Sequence, residues 1–535
     1  MKTLVTLGAG PKAVAVAAKA YVLKSLGYEV PTIVAVDPLG VGGNWVSGGG
    51  WTNGHHLLGT PPDKDVGFPY RTRIANQSVQ DNTRVDAALM KYSWMSYLVS
   101  RDKYAQWIDR GHPCPTHEEW AEYLRWVARA VDMRVMAGRI TAIRAVDKNA
   151  TDNAHVDHTD ADSNEVDNTH VDSNEVDNTD VDSDDGDKKS VGNHDGDYDW
   201  AWECDVDLND GGSTVLSSDG VMITGPGPST RRLADAPGVL SIAELWDQVE
   251  NGTFPLHKRV AVIGGGESAA SVVDQLAHMP CESIAIFSPS PTVYSRGESV
   301  FENSLYTDPE KWFMLSFEER QDFIRRTDRG VFSQRVQQTV KNYGHITHER
   351  GRVVDIAPRD GALNLYVSYK GVPEAVSVAD VVVDARGGDP LWFRDLFPNT
   401  NSDFYAERIV TTCSEADIAR SIGIALQLKP DLPTPDRPAR IPAEWTVAVD
   451  KGPWLFLPTL SALAQGPGFA NLSCLGEVSD RILGCYVDNG PADNEPTDNG
   501  SADSGSAGSE LGDKRQKPGN AQQTGGEVRD EIHVG

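Results

Sequence analysis

Twice in this chain a G-x-G-x-x-A turn stands directly behind a short apolar strand. The first turn, Gly8, Gly10 and Ala13, follows Thr3-Leu4-Val5-Thr6-Leu7, and the second, Gly264, Gly266 and Ala269, follows Val260-Ala261-Val262-Ile263. Behind each turn the spacing predicts a helix, over about 11–26 and to about 278. A further apolar strand then follows, at 32–36 and at 284–287. Strand, helix, strand in that order implies a parallel βαβ unit. In such a turn the first glycine permits the tight reversal and the second lets backbone approach a diphosphate. The small third residue lets helix pack on strand, while the helix N-terminus faces negative charge.

The first unit has an acid, Asp37, at the end of its second strand, placed to accept hydrogen bonds from a ribose. Pro11 at the first helical position suits a helix start. The second unit has no acid there; Ser288, Ser290 and Arg296 follow instead, a set that welcomes a 2′-phosphate. Two such loops in a chain without a C-x-x-C pair suggest a flavin (FAD) in the first and NADPH in the second. Met222-Ile-Thr-Gly-Pro-Gly227 reads as a strand and glycine turn returning beside the flavin site. Residues 117–130 read as an amphipathic helix with Trp120, Leu124 and Val127 on one face, and 379–384 as a buried strand. The fold class is therefore α/β, with two Rossmann-like dinucleotide-binding domains.

Charge separates two segments from this body. Of the net −29, residues 151–199 contribute −15 and residues 487–535 contribute −6. The first segment holds a ten-residue repeat, 162–169 recurring at 172–179, and cannot bury enough apolar surface to offset chain entropy. A calcium loop at 182–187 lacks the terminal Glu and flanking helices that an EF-hand needs, so no metal site is expected. The second segment is rich in Gly, Ser, Asp and Asn and reads as a disordered tail. What remains is close to balanced, without the basic surface that a nucleic-acid partner requires. The six cysteines are too sparse for a disulfide framework. With no leader at the start and no apolar run long enough to span a bilayer, a cytoplasmic protein is expected.

Longer motifs carry a resemblance. Gly8-Ala-Gly-Pro-Lys-Ala-Val-Ala-Val-Ala-Ala-Lys-Ala20, Leu58-Gly-Thr-Pro-Pro-Asp-Lys-Asp-Val-Gly-Phe-Pro-Tyr70, Val262-Ile-Gly-Gly-Gly-Glu-Ser-Ala-Ala-Ser271, Phe301-Glu-Asn-Ser-Leu-Tyr306 and Arg326-Thr-Asp-Arg-Gly-Val-Phe-Ser333 are the main ones. Leu457-Pro-Thr-Leu-Ser461, running into Gln465-Gly-Pro-Gly-Phe469, completes the set. Together they resemble the class B flavoprotein N-hydroxylating monooxygenases that hydroxylate lysine or ornithine side-chain amines for siderophores, in the mycobactin/nocobactin-type lysine N6-hydroxylase branch. The likeness spans nearly all of 1–148 and 200–486.

That resemblance implies FAD on Gly8, Gly10, Pro11, Ala13 and Asp37, with Trp45 and Leu58 against the flavin. It implies NADPH on Gly264, Gly266, Glu267, Ser268 and Ala269, with Ser288 and Arg296 nearby, and substrate contacts from Lys64, Asn303, Asp328 and Ser473. It implies O2 as co-substrate and a C4a-hydroperoxyflavin as oxidant, so no side chain is expected to act as catalytic acid or base. The expected organisation is a FAD-binding domain in two parts, 1–148 and 200–250, separated by a disordered acidic insert at 149–199. A NADPH-binding domain at 251–390 would include a small, mainly helical substrate-binding region at about 297–345. A closing segment at 391–486 and a disordered tail at 487–535 complete it. Two departures stand out: Asp328 takes the place where ornithine hydroxylases keep a second substrate-binding Asn, and Asp384-Ala-Arg-Gly-Gly388 replaces an Ala-Thr-Gly-Tyr stretch. Free, acylated or carrier-bound lysine all remain open as substrates at this point, as do ornithine or another diamine. A flavin-binding protein without hydroxylation also remains open, as do siderophore assembly-line partners and homo-oligomerisation.

Overall fold

The computed structural model describes residues 2–74, 78–147, 200–328, 330–369, 372–389, 392–397, 454–460 and 462–487. The expected acidic insert, the tail and most of the closing segment lie outside them. The elements used below are Thr3–Leu7 (β1), Pro11–Ser25 (α1), Thr32–Val36 (β2), His117–Ala130 (α2), Gly220–Ile223 (β3), Arg259–Ile263 (β4), Glu267–Ala277 (α3), Ser283–Ser288 (β5), Val300–Thr307 (α4), Phe317–Thr327 (α5) and Leu475–Leu483 (α6).

Two five-stranded sheets form the body, each wholly parallel. The first runs, across the sheet, Trp454–Phe456, β3, β1, β2 and Arg134–Met136. The second runs Ile346–Arg350, β5, β4, Val381–Asp384 and Val239–Ser241. Both glycine turns therefore leave the carboxyl end of a central strand, where open α/β sheets bind ligands. The central strands are mostly apolar because both faces are covered, one by helices and the other by an antiparallel sheet. A three-stranded antiparallel sheet adjoins each: Gly138–Asp147, Trp200–Leu208 and Ser213–Ser218 in one case, and Arg352–Arg359, Ala362–Tyr369 and Val372–Ala379 in the other.

α1 is buried on nearly all sides, which its run of Ala and Val allows. One flank packs on α2 and another on α6, from the far end of the chain. α2 starts at a capping box, in which the Thr116 hydroxyl accepts from Glu119 N–H while the Glu119 carboxylate accepts from Thr116 N–H. Its Trp120, Tyr123, Leu124 and Val127 are fully buried.

Val239–Ser241 belongs to the second sheet, so the chain enters that unit before the boundary expected at residue 250. The hydrophobic residues at 239–245 pack on the second sheet's core, which draws them across. Similarly, the helix Gln334–Asn342 packs on α3, so the separate helical region is narrower than expected and centres on α4, Pro309–Phe313 and α5.

Candidate active site

The first glycine turn is built around one carboxylate. Asp37 accepts from Ala9 N–H at 2.9 Å and from Leu39 N–H at 2.8 Å. Gly8 adopts φ +102°, and a Cβ there would meet Thr224 Oγ1 at 2.6 Å, so both backbone and space demand glycine. Gly10 is the N-cap of α1 and offers no side-chain cap. A Cβ on it would meet nothing within 4 Å, so the first amides of α1 face open space. Pro11 occupies the first helical position, and Ala13 is fully buried against the strand. This cradle fits the diphosphate and ribose of FAD.

The second turn repeats the open helix start but differs around it. Gly264 has φ +143°, and a Cβ there would meet the Ala385 carbonyl oxygen at 2.4 Å. Gly266 caps α3 without a side-chain partner, and the nearest atom to a Cβ on it is Gly330 N at 3.7 Å. Ala269 is fully buried, and Ser268 sits beside it in the first turn of α3. Diphosphate therefore fits here too. The Ser288 hydroxyl is buried and shares a 2.9 Å hydrogen bond with His348 Nε2. Arg296 turns toward the first unit, its Nη1 donating to the Gly59 carbonyl at 3.0 Å and its Nη2 lying 3.1 Å from Glu267. Burial raises the Glu267 carboxyl above its ordinary range, and Arg296 draws it back.

Between the two units lies the segment Leu58–Lys64. Leu58 is buried, and its N–H donates to the Pro115 carbonyl at 2.8 Å. Trp45 is half-buried and meets the His117 ring edge-on at 5.0 Å. The segment is pinned by Asp65, which accepts from Trp94 N–H (2.8 Å), Tyr70 Oη (2.8 Å) and Gly67 N–H (3.1 Å). Burial raises that carboxyl to about 6 despite these donors.

Asp65 thereby fixes its neighbour Lys64, whose Nζ donates to Asn303 Oδ1 on α4 at 3.4 Å and lies 6.0 Å from the Tyr306 ring centre. Burial lowers the Lys64 pKa, and Arg296 lowers it further, with Glu298 and Asp63 offsetting part of this. Asn303 Nδ2 in turn donates to the Glu298 carbonyl. Nearby, Asp328 at the end of α5 accepts from Asn471 Nδ2 at 3.3 Å, and Asn471 Oδ1 accepts from Ser473 N–H at 2.7 Å.

Of the residues picked out in the sequence, Lys64 and Asn303 thus meet directly, and Asp328 and Ser473 are joined through Asn471. Ser288 is turned aside toward His348. The sequence reading missed Tyr306, Asn471 and Lys12. Tyr306 lies within the quoted Phe301–Tyr306 motif, three residues past Asn303 and hence on the same helix face.

Residues 79–175 match the family model for L-lysine 6-monooxygenase/L-ornithine 5-monooxygenase. The chain is 38% identical over 486 residues to the L-lysine N6-monooxygenase MbtG of Mycobacterium tuberculosis, covering 90% of this chain and 94% of that protein. Among solved structures it is similar to the lysine monooxygenase NbtG from Nocardia farcinica, with 39% identity and a TM-score of 0.68 over 90% of this chain and 99% of that one. The ornithine N-hydroxylase KtzI of Kutzneria sp. 744 shares the fold at 17% identity, with a TM-score of 0.57 over 90% of this chain and 98% of that one. Two open diphosphate cradles, a lysine–asparagine contact between them and identity sustained over nine-tenths of the chain place this protein in the lysine N6-/ornithine N5-monooxygenase family.

Proposed function

We propose that the protein is an FAD- and NADPH-dependent L-lysine N6-monooxygenase supplying the hydroxamate nitrogen of a mycobactin/nocobactin-like siderophore. The carrying observation is the Lys64–Asn303 contact across the two units, with the Asp328–Asn471–Ser473 chain beside it. A cation and a carboxylate set among hydrogen-bonding groups suit the α-carboxylate and α-ammonium of an amino acid. That pairing favours free L-lysine over an acylated or carrier-bound unit, because an amide at the α-nitrogen removes the charge that Asp328 would meet. Siderophore assembly-line proteins then receive the product as a free hydroxylated amino acid, in the cytoplasm.

The site holds FAD through Gly8, Gly10, Pro11, Ala13 and Asp37, with Trp45 and Leu58 toward the flavin. It holds NADPH through Gly264, Gly266, Glu267, Ser268 and Ala269, with Ser288 and Arg296 at its margin. The flavin, when bound, supplies the activated oxygen and carries the redox chemistry. The chain's own part is to bind, orient and exclude water. Only the neutral ε-amine is nucleophilic, and deprotonating it at pH 7 costs about 4–5 kcal/mol. A partly desolvated pocket recovers some of that. Among the described residues no group of three or more His, Cys, Asp or Glu could hold a metal ion, and no helix is long and apolar enough to cross a membrane.

The test is hydroxylamine product measured alongside NADPH consumption with L-lysine, L-ornithine and Nα-acetyl-L-lysine. Product with L-lysine is expected, with about 10-fold less from L-ornithine, since one methylene is worth about 1–3 kcal/mol, and less still from Nα-acetyl-L-lysine, which lacks the α-ammonium. NADPH oxidation that yields only peroxide with all three would overturn the proposal.

A further inference from the structure

Lys12 lies within the first glycine turn, yet it neither faces solvent nor serves its helix. It is 7% exposed, and its Nζ donates to the Ala470 carbonyl at 2.9 Å, across 458 residues of chain. A lysine in the first turn opposes the helix macrodipole, and burying its ammonium is costly unless it is paired. Burial lowers its pKa to about 8, while Cys474 and Asp328 hold it up in part. Helix formation gives no reason for a cation here, so the reason lies at its far end.

Ala470 closes the short helix Pro467–Ala470. The next residue, Asn471, donates to Asp328 and accepts from Ser473 N–H. One ammonium therefore links the diphosphate cradle to the segment that orients Asp328 and Ser473. An anion at the open start of α1 would hold that ammonium more firmly in its charged, donating form. The carbonyl of residue 470 would then be fixed, and with it Asn471.

We propose that Lys12 is a positioning residue that couples filling of the first glycine cradle to alignment of segment 470–473, so that FAD and the amino-acid substrate strengthen each other's binding. This inference rests on the assignment of FAD and lysine to those places. Linkage makes the effect reciprocal: whatever factor lysine lends to FAD affinity, FAD lends to lysine affinity.

The experiment is titration of apoprotein with FAD, followed by flavin fluorescence, with and without saturating L-lysine. In the unmodified protein lysine is expected to lower the FAD dissociation constant about 5-fold or more. In Lys12→Met that ratio should fall to about 1, and Lys12→Arg should restore most of it. Asn471→Ala breaks the far end of the link and leaves the glycine turn untouched, so it should also bring the ratio toward 1. Retention of the full ratio by Lys12→Met, or no ratio in the unmodified protein, overturns the inference. Should Lys12→Met fail to fold by circular dichroism, Asn471→Ala decides, since a full ratio there overturns the coupling and a ratio near 1 supports it. Absence of lysine binding to the unmodified holoenzyme would remove the substrate assignment together with the inference. Binding of both ligands without mutual effect would remove the coupling alone.

Discussion

The two glycine cradles share a motif and differ in what completes them. The second sheet draws its strands from residues 239–384, a nearly contiguous stretch, and the helix covering α3 comes from the same stretch. The first sheet borrows Trp454–Phe456 from the far end of the chain, and α1 is clasped by α6. There Lys19 is buried, with its Nζ 2.5 Å from Asp480 and donating to the Gly476 carbonyl at 2.8 Å. Asp37 organises the first turn through two amides, whereas Ser288 at the corresponding strand end serves His348. A shared motif therefore specifies a place for diphosphate, while ribose recognition and the closing of the site are decided by residues outside it.

The strongest way to break this asymmetry is Lys19→Met. It leaves Asp480 buried without its cation, a loss of about 3–5 kcal/mol. The first unit should unfold at markedly lower denaturant than the second in a two-phase urea transition, and a single unshifted transition would contradict it. Next comes Asp37→Ala, which removes two charge-assisted hydrogen bonds of about 1.5–3 kcal/mol each. FAD affinity should fall about 100-fold or more, with NADPH affinity unchanged, as read by flavin fluorescence and by calorimetric titration of NADPH.

Glu477 on α6 gives a pH-dependent counterpart of similar or smaller size. Its carboxyl is 5% exposed, and one oxygen has no hydrogen-bond partner. Burial, followed by repulsion from Asp480, raises its pKa from 4.5 to about 7. The unfolded chain ionises first, so the folded state loses relative stability as pH rises from about 4.5 to 7, by about 3 kcal/mol in all. Glu477→Gln should thus raise Tm at pH 8 and leave it unchanged at pH 4.5; equal shifts at both values would contradict the account. The smallest effect belongs to Ser288→Ala. It should change the NADPH dissociation constant less than about 3-fold, since that hydroxyl is engaged with His348, and should cost only about 1 kcal/mol of stability. A large loss of NADPH affinity would place the hydroxyl on the cofactor instead.

Both βαβ units were legible in the sequence because their signals are local. An apolar strand, glycines two apart and an alanine-rich helix all fall within about 30 residues. Lys64 and Asn303 could be named from motifs, but their meeting at 3.4 Å joins positions 239 residues apart. Lys12 and Lys19 lie inside the quoted Gly8–Ala20 motif, but nothing in its spacing marks either as special. Each looks like an ordinary helical lysine until α1 is seen enclosed by residues 470–480, which no periodicity near residue 12 could announce. Val239–Ser241 was assigned to the wrong side of a boundary for a related reason: three apolar residues do not say which sheet will take them.

The clasp of α6 on α1 also sets an order of events during synthesis. Domains usually fold as their sequence emerges, amino-terminal parts first. Here the second unit has its strands and covering helix once about 385 residues are out. The first unit, begun at residue 3, must wait for residues 454–483 to add an edge strand and bury Lys19. The part of the protein made first is thus the last to be finished. Flavin capture is therefore expected only once residues 454–483 have been made.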